Sequence, residues 1–215
     1  KKTKYNKTDV KKCLFSSVVP KTFNTIRYYF EKFYIVKCFE LKNLPLNKLI
    51  KIKVNKKQVG SDRIANALGV LSKNKNYIIL DFGTATTFDV IKNGAYEGGV
   101  IAPGVKLSIK NLSNATALLP LINLNSNQKN YGKNTKEALN AGFVWGYEGL
   151  INNIITKIIS KDKINYKILL TGGYAFFFKK FIKKKSFIDQ NITVNGIAKV
   201  YKELIWVKMN YFFVH

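Results

Sequence analysis

The sequence predicts an α/β protein with mixed sheets. Short apolar runs of strand length, such as Tyr77–Phe82 and Tyr166–Leu170, alternate with longer segments of helical period. An Asn93-Gly94 dipeptide lies between two strand-like runs, and such a pair closes an antiparallel hairpin because both of its residues tolerate positive φ. No repeat of fixed short period is present, which sets aside solenoids and propellers.

Taken in order, Lys12–Val19 is a short apolar strand stopped at Pro20, and Phe23–Phe33 has helical spacing. Ile35–Leu41 reads as a second strand. Pro45–Lys57 is a lysine-rich loop with a strand at Ile50–Val54, and Asp62–Leu71 is helical. Tyr77–Phe82, Thr86–Lys92 and Ala95–Ile101 are three consecutive strands, the last two joined by the Asn-Gly turn. After Pro103-Gly104, Val105–Leu118 is a helix and Pro120–Tyr131 a polar loop. The longest helix runs from Asn134 to about Ser160, with Glu137 three residues after Asn134 as a capping box. Tyr166–Leu170 is a strand, Thr171-Gly172-Gly173 a turn and Tyr174–Phe181 a helix.

A chain of 215 residues with 47% hydrophobic content can fill a real core, in one large domain or two small ones. No uncharged apolar run reaches the roughly 18–20 residues a membrane span needs, so the expected location is the cytoplasm. Opening on Lys1 instead of methionine, the sequence is expected to continue upstream. Cys13 and Cys38 lack CxxC spacing and a neighbouring histidine, which fits reduced thiols and not zinc. The net charge of +25 invites a nucleic-acid partner. Against this, only Arg27 and Arg63 among 37 basic residues are arginine, and the lysines run along the whole chain among asparagines and isoleucines, as coding in an AT-rich genome would give. Nucleic acid is therefore not the expected partner, and the Lys179–Lys185 cluster reads as a solvated helix end.

Only 12 acidic residues limit the candidates for proton transfer or cation binding. The single histidine, His215, is terminal, which removes histidine triads and HExxH sites. In Asp81-Phe82-Gly83-Thr84-Ala85-Thr86-Thr87 a buried strand delivers a carboxylate, a glycine and hydroxyls to one turn. Such a turn can present amides to phosphate, or can be a tight turn whose aspartate satisfies backbone amides. It lacks GKS/T and returns as a strand, so it is not a P-loop. Gly60-Ser61-Asp62-Arg63 opens a helix. Asp62 could take a proton from a hydroxyl there and Arg63 could hold a carboxylate, or Asp62 could simply favour the helix dipole. Gly132-Lys133-Asn134-Thr135 is either a polar-ligand contact or an N-cap. Gly142, Gly146 and Gly149 share one helix face, suited to packing or dimerisation, and Gly172-Gly173 could approach a nucleotide closely.

Together these elements resemble the type III pantothenate kinases of the acetate and sugar kinase/actin superfamily. Gly60–Arg63 is similar to the family's GxDR, Asp81–Asp89 to DxGTAxTxD, Gly98–Gly104 to GGxIxPG, Leu118–Pro120 to the following LP, Gly132–Thr135 to GxxT and Thr171–Gly173 to TGG. The resemblance implies two RNase H-like (actin-like ATPase) domains, over residues 1–75 and 76–215, and phosphorylation of pantothenate by ATP, the first step towards coenzyme A. It implies Asp62 as the general base and Gly60, Ser61, Asp62, Arg63 and Thr135 as the pantothenate site. By the same resemblance Gly83, Thr84 and Gly172 bind ATP, which brings magnesium with it, Asp81 holds a monovalent cation (potassium or ammonium), and the protein is a homodimer. The family's DxGNT phosphate turn does not precede Lys12, so the first domain is expected to be N-terminally truncated, with half of the phosphate site. The alternatives are a transcription accessory, nucleic-acid-binding relative of the family or an inactive remnant. Residues 206–215 have no counterpart in the family pattern.

Overall fold

The computed structural model describes residues 10–71, 75–127 and 130–206. Pro20 cannot donate to a strand ladder, and its fixed φ suits the first turn of a helix. Accordingly β1 (Lys12–Phe15) ends before it and α1 (Pro20–Tyr34) begins on it. The strand is shorter than the apolar run to Val19 suggests, because Ser16 and Ser17 leave the ladder and bond elsewhere: Ser61 Oγ donates to Ser17 O at 2.7 Å. Ile35, at φ 54°, ends α1 in the left-handed region, and β2 (Lys37–Glu40) follows, inside the expected Ile35–Leu41. β1 and β2 pair in parallel with α1 as the crossover. Single 3-10 turns bury Leu41 (Leu41–Asn43), at the end of the expected strand, and Leu46 (Leu46–Lys48), within the expected Pro45–Lys57 loop. β3 is only Lys51–Ile52, and α2 spans Ser61–Gly69.

The next elements follow the sequence closely: β4 (Tyr77–Phe82), β5 (Ala85–Lys92) and β6 (Ala95–Pro103). Asn93 at φ 51° and Gly94 at φ 73° make the primed turn between β5 and β6. α3 (Val105–Asn114) stops short of Leu118, and α4 (Thr135–Asp162) is capped by Asn134, whose side chain accepts from Glu137 N at 3.0 Å. In return Glu137 Oε2 accepts from Lys133 N at 2.8 Å. β7 (Lys167–Gly172), α5 (Ala175–Lys179) and β8 (Ser186–Ile188) complete the sheet, in the order β6-β5-β4-β7-β8. β4 is antiparallel to β5 and parallel to β7, which is parallel to β8, so the sheet is mixed as predicted. α4 lays Tyr147, Ile151 and Ile155 into the core with β4 and β7, where Phe82 stacks on Phe178 at 5.5 Å. None of the described helices is long and apolar enough to cross a membrane.

Besides β8, two further elements lie beyond the sequence reading. α6 (Ile192–Val200) packs on α2, and a π-helical turn, Tyr201–Trp206, follows it. A β-carbon at Gly196 would stand 1.8 Å from Ala65 O, so the two helices cross at backbone contact, which only glycine allows. Thr193 Oγ1 donates to the buried Asn66 Oδ1 at 2.6 Å across the same crossing. By packing, residues 10–71, 94–96 and 191–206 form one unit and residues 75–93 and 97–190 another. The chain thus leaves the first unit after Leu71, rejoins it at Gly94–Tyr96 and returns to it at Asn191. β3 pairs in parallel with Ala95 and Tyr96, the start of β6, inside the first unit. Of the unplaced terminal residues, 207–215 lie outside the described ones.

Candidate active site

In the second unit, β4 and β7 run side by side and end together, with Asp81 opposite Thr171 and Phe82 opposite Gly172. This brings four predicted residues, Asp81, Gly83, Thr84 and Gly172, to one place. Gly172 takes φ 84°, and a β-carbon there would lie 2.7 Å from Asp81 Oδ1 and from the backbone of Phe82. The fixed backbone of Phe82 and the positive φ require glycine at this position of the Thr-Gly-Gly turn, which thereby passes close to Asp81. Gly83 stands on the other side, its N–H donating to Ala85 O at 3.1 Å. Thr84 is gripped from behind: a β-carbon at Gly104 would fall 1.9 Å from Thr84 O, so the Pro103-Gly104 break presses its backbone on the turn.

Sequence reasoning missed the residue that holds Pro103. Tyr147, on the buried face of α4, donates to Pro103 O at 3.1 Å and shares a 2.8 Å hydrogen bond with Ser108 Oγ. Burial pushes its phenol above the ordinary range, and the Ser108 bond partly offsets this. Its position on the apolar stripe of α4 gave no sign of a polar role. Asp89, the last residue of the signature, is fully buried in β5 within reach of Thr87 Oγ1 at 3.4 Å.

In the first unit, Gly60–Arg63 forms the start of α2. Ser61 is fully buried and, besides donating to Ser17 O, accepts from Ser16 Oγ at 3.2 Å, so the helix start is tied to the segment after β1. Asp62 and Arg63 are half-buried, and Asp62 Oδ1 accepts from Arg63 N at 2.8 Å, which fixes the carboxylate at the positive end of the helix. Beside them Gly60 and Ser61 line a cleft of about 700 Å³ carrying Arg27, Lys42, Lys56 and Lys57. Glu40 is its only acidic lining residue, and Glu40 Oε1 is buried without a hydrogen-bond partner among the described residues. Burial, with a smaller push from Lys42, pulls the Lys56 ammonium below its usual range while Glu40 acts against it. The cleft suits an anionic or strongly polar ligand.

In the second unit, Thr135 is exposed at an apolar groove of about 440 Å³ with Leu112, Leu119, Ala138 and Phe143. Of its motif, Asn134 is an N-cap. The same groove reaches Gly142, and β-carbons at Gly142, Gly146 and Gly149 would meet nothing within 4 Å among the described residues.

The sequence model of the type III pantothenate kinase family matches residues 1–157. The type III pantothenate kinase of Pelagibacter ubique is 53% identical over 190 residues, spanning 88% of this chain and 77% of that protein. That of Persephonella marina is 36% identical over 202 residues, with 91% of this chain and 77% of the relative covered. Among solved structures, a protein described as a Baf family transcriptional activator from Campylobacter jejuni superposes with a TM-score of 0.65 at 20% identity, covering 90% of this chain and 83% of that one, a likeness of fold. With the family pattern matched over most of its length and relatives this similar, the chain belongs to the type III pantothenate kinase family.

Proposed function

We propose that the family reaction, phosphorylation of pantothenate by ATP, is carried in this chain by Asp62 as general base and by two groups of binding residues. Gly60, Ser61, Asp62 and Arg63, with Thr135, take pantothenate, and Gly83, Thr84 and Gly172 take ATP. The observation that carries this reading is the fixed carboxylate of Asp62, held by Arg63 N at the first turn of α2 and half-exposed beside a cationic cleft. A base so placed can accept the proton of pantothenate's primary hydroxyl as the oxygen attacks the γ-phosphorus. Arg63 offers a planar fork for the substrate carboxylate.

A hard monovalent cation needs oxygen ligands and not a cluster of acids. The surroundings of Asp81 fit: its carboxylate lies at a tight turn beside the Ala85 carbonyl. Asp81 would hold potassium or ammonium, which supplies positive charge near the nucleotide phosphates, and magnesium would arrive with ATP. The open glycine face of α4 and the adjoining groove support a homodimer. RNase H-like domains, cytoplasmic location and the absence of a nucleic-acid role complete the reading.

The test is pantothenate phosphorylation by the protein and its Asp62→Asn variant, with circular dichroism to show that folding survives. Turnover should fall by about 10²–10⁴, the usual contribution of a general base. Undiminished turnover would remove Asp62 as the base. Stimulation by potassium should be lost in Asp81→Asn.

A further inference from the structure

The chain has two cysteines, and the fold sets them side by side. β1 and β2 pair in parallel with Cys13 directly opposite Cys38. Neighbouring strands lie about 4.8 Å apart, and opposed residues of a parallel pair project to the same face. Disulfides bridge Cα atoms roughly 4.4–6.8 Å apart, so the two thiols can close without moving the strands. Both are free thiols, Cys38 buried and Cys13 partly exposed. Nothing in the phosphoryl-transfer chemistry uses them.

We propose that Cys13 and Cys38 are a reversible dithiol–disulfide couple, a redox modification site that takes low-molecular-weight disulfides. Cys13, the more accessible thiol, gives up its proton and its thiolate attacks one sulfur of the disulfide reagent. The reagent's S–S bond breaks, one thiol leaves, and a mixed disulfide remains on Cys13. The Cys38 thiolate then attacks the Cys13 sulfur, expelling the second thiol and closing the Cys13–Cys38 bond. Two protein thiols are oxidised and one disulfide is reduced to two thiols, so electrons and protons balance.

Kinetics and strain set its character. Burial raises both thiols above the ordinary range, and Cys13 and Glu31 raise Cys38 further while Arg27 opposes them. The pair is therefore slow at neutral pH and quickens as pH rises. A separation at the short end of the disulfide range makes the closed form readily reducible, as suits a reversible link and not a structural staple. The link has reach within its unit. β1 leads directly into Ser16 and Ser17, which hold Ser61, and β2 ends at Glu40 on the wall of the 700 Å³ cleft.

The folded protein is equilibrated with mixtures of oxidised and reduced glutathione, quenched in acid, alkylated and weighed intact. The expected product has lost about 2 Da, has no alkylatable thiol and remains a single chain on a non-reducing gel. Closure should accelerate about tenfold between pH 7 and pH 8, following the thiolate fraction. Cys38→Ser should instead stop at a glutathione adduct on Cys13, and Cys13→Ser, which keeps only the buried thiol, should stay largely unmodified. Should either variant fail to fold, peptide mapping of the oxidised parent decides, since it must contain a linked pair holding Cys13 and Cys38. Two thiols still alkylatable, glutathione adducts alone or chain-to-chain disulfides in the parent would each overturn the proposal.

Discussion

Gly196→Ala should destabilise the protein although it replaces glycine inside a helix. The new β-carbon would lie 1.8 Å from Ala65 O and 2.7 Å from Ala65 C, against an ordinary contact near 3.4 Å. The obstacle is backbone, so no side chain can rotate aside and α2 and α6 must separate by roughly 1.5 Å, since such overlap exceeds any bond-angle relief. Overpacking of this kind costs about 1–3 kcal/mol, and a rigid neighbour puts it at the upper end. Helix propensity returns at most about 1 kcal/mol, leaving a net loss of about 2 kcal/mol. With a urea slope of about 2 kcal/mol per molar, the unfolding midpoint should drop by about 1 M. A Gly196→Ala protein as stable as its parent would refute the backbone crossing of α2 and α6. Gly142→Ala is the counterpart, because it meets nothing within 4 Å. It should gain about 0.5–1 kcal/mol in the monomer, and it should weaken self-association if the α4 face meets a second copy.

Asn134→Ala should cost about 1 kcal/mol in denaturant unfolding by removing the acceptor for Glu137 N at the start of α4. Tyr147→Phe should cost about 1–2 kcal/mol by leaving Pro103 O and Ser108 without their partner. If Thr84 contacts ATP, it should also raise the KM for ATP more than that for pantothenate. Tyr166 is buried and donates to Asp162 Oδ2, and desolvation first, then Asp162, hold its phenol far above the usual value. Unfolded phenols ionise near about pH 10, so above that the native state keeps a proton that the unfolded state releases, and stability falls with rising pH. Tyr166→Phe should remove that part of the alkaline loss while leaving stability below about pH 9 without this pH dependence, as urea midpoints across the range would show.

The hairpin region was legible because its signals are local. The apolar run of β4, the Asn93-Gly94 turn and the cap at Asn134 each require only neighbouring residues, and the described structure reproduces them almost residue for residue. What was not legible depends on distant partners. β1 ends at Phe15 because Ser16 and Ser17 bond Ser61 across 44 and 45 positions of sequence. α6 contains Thr193, Val194 and Gly196, poor helix formers, and forms against α2 through Thr193–Asn66 and the Gly196–Ala65 approach. β8 is three residues beside a lysine cluster, stabilised by pairing with β7. In the candidate site, the turn around Asp81 was readable as a motif, whereas the need for Gly172 emerged only when β4 and β7 aligned.

The two arginines show how far composition carries a functional argument. Rarity alone singles out Arg27 and Arg63 equally, since lysine fills nearly every other basic position. Arg27 uses its fork on the exposed surface of α1, where Nε lies 3.1 Å from both oxygens of Glu31 four residues on. Such a pair is worth only a few tenths of a kcal/mol, and lysine would serve nearly as well. Scarcity therefore does not assign a role. Arg27 itself lines the cationic cleft, whereas Arg63 differs in being half-buried in the first turn of α2, where its backbone N–H holds the Asp62 carboxylate. A guanidinium at a helix start sits against the dipole and gains nothing from it. An anionic ligand beside it would offset that cost, which is the physical content of proposing that Arg63 meets the pantothenate carboxylate.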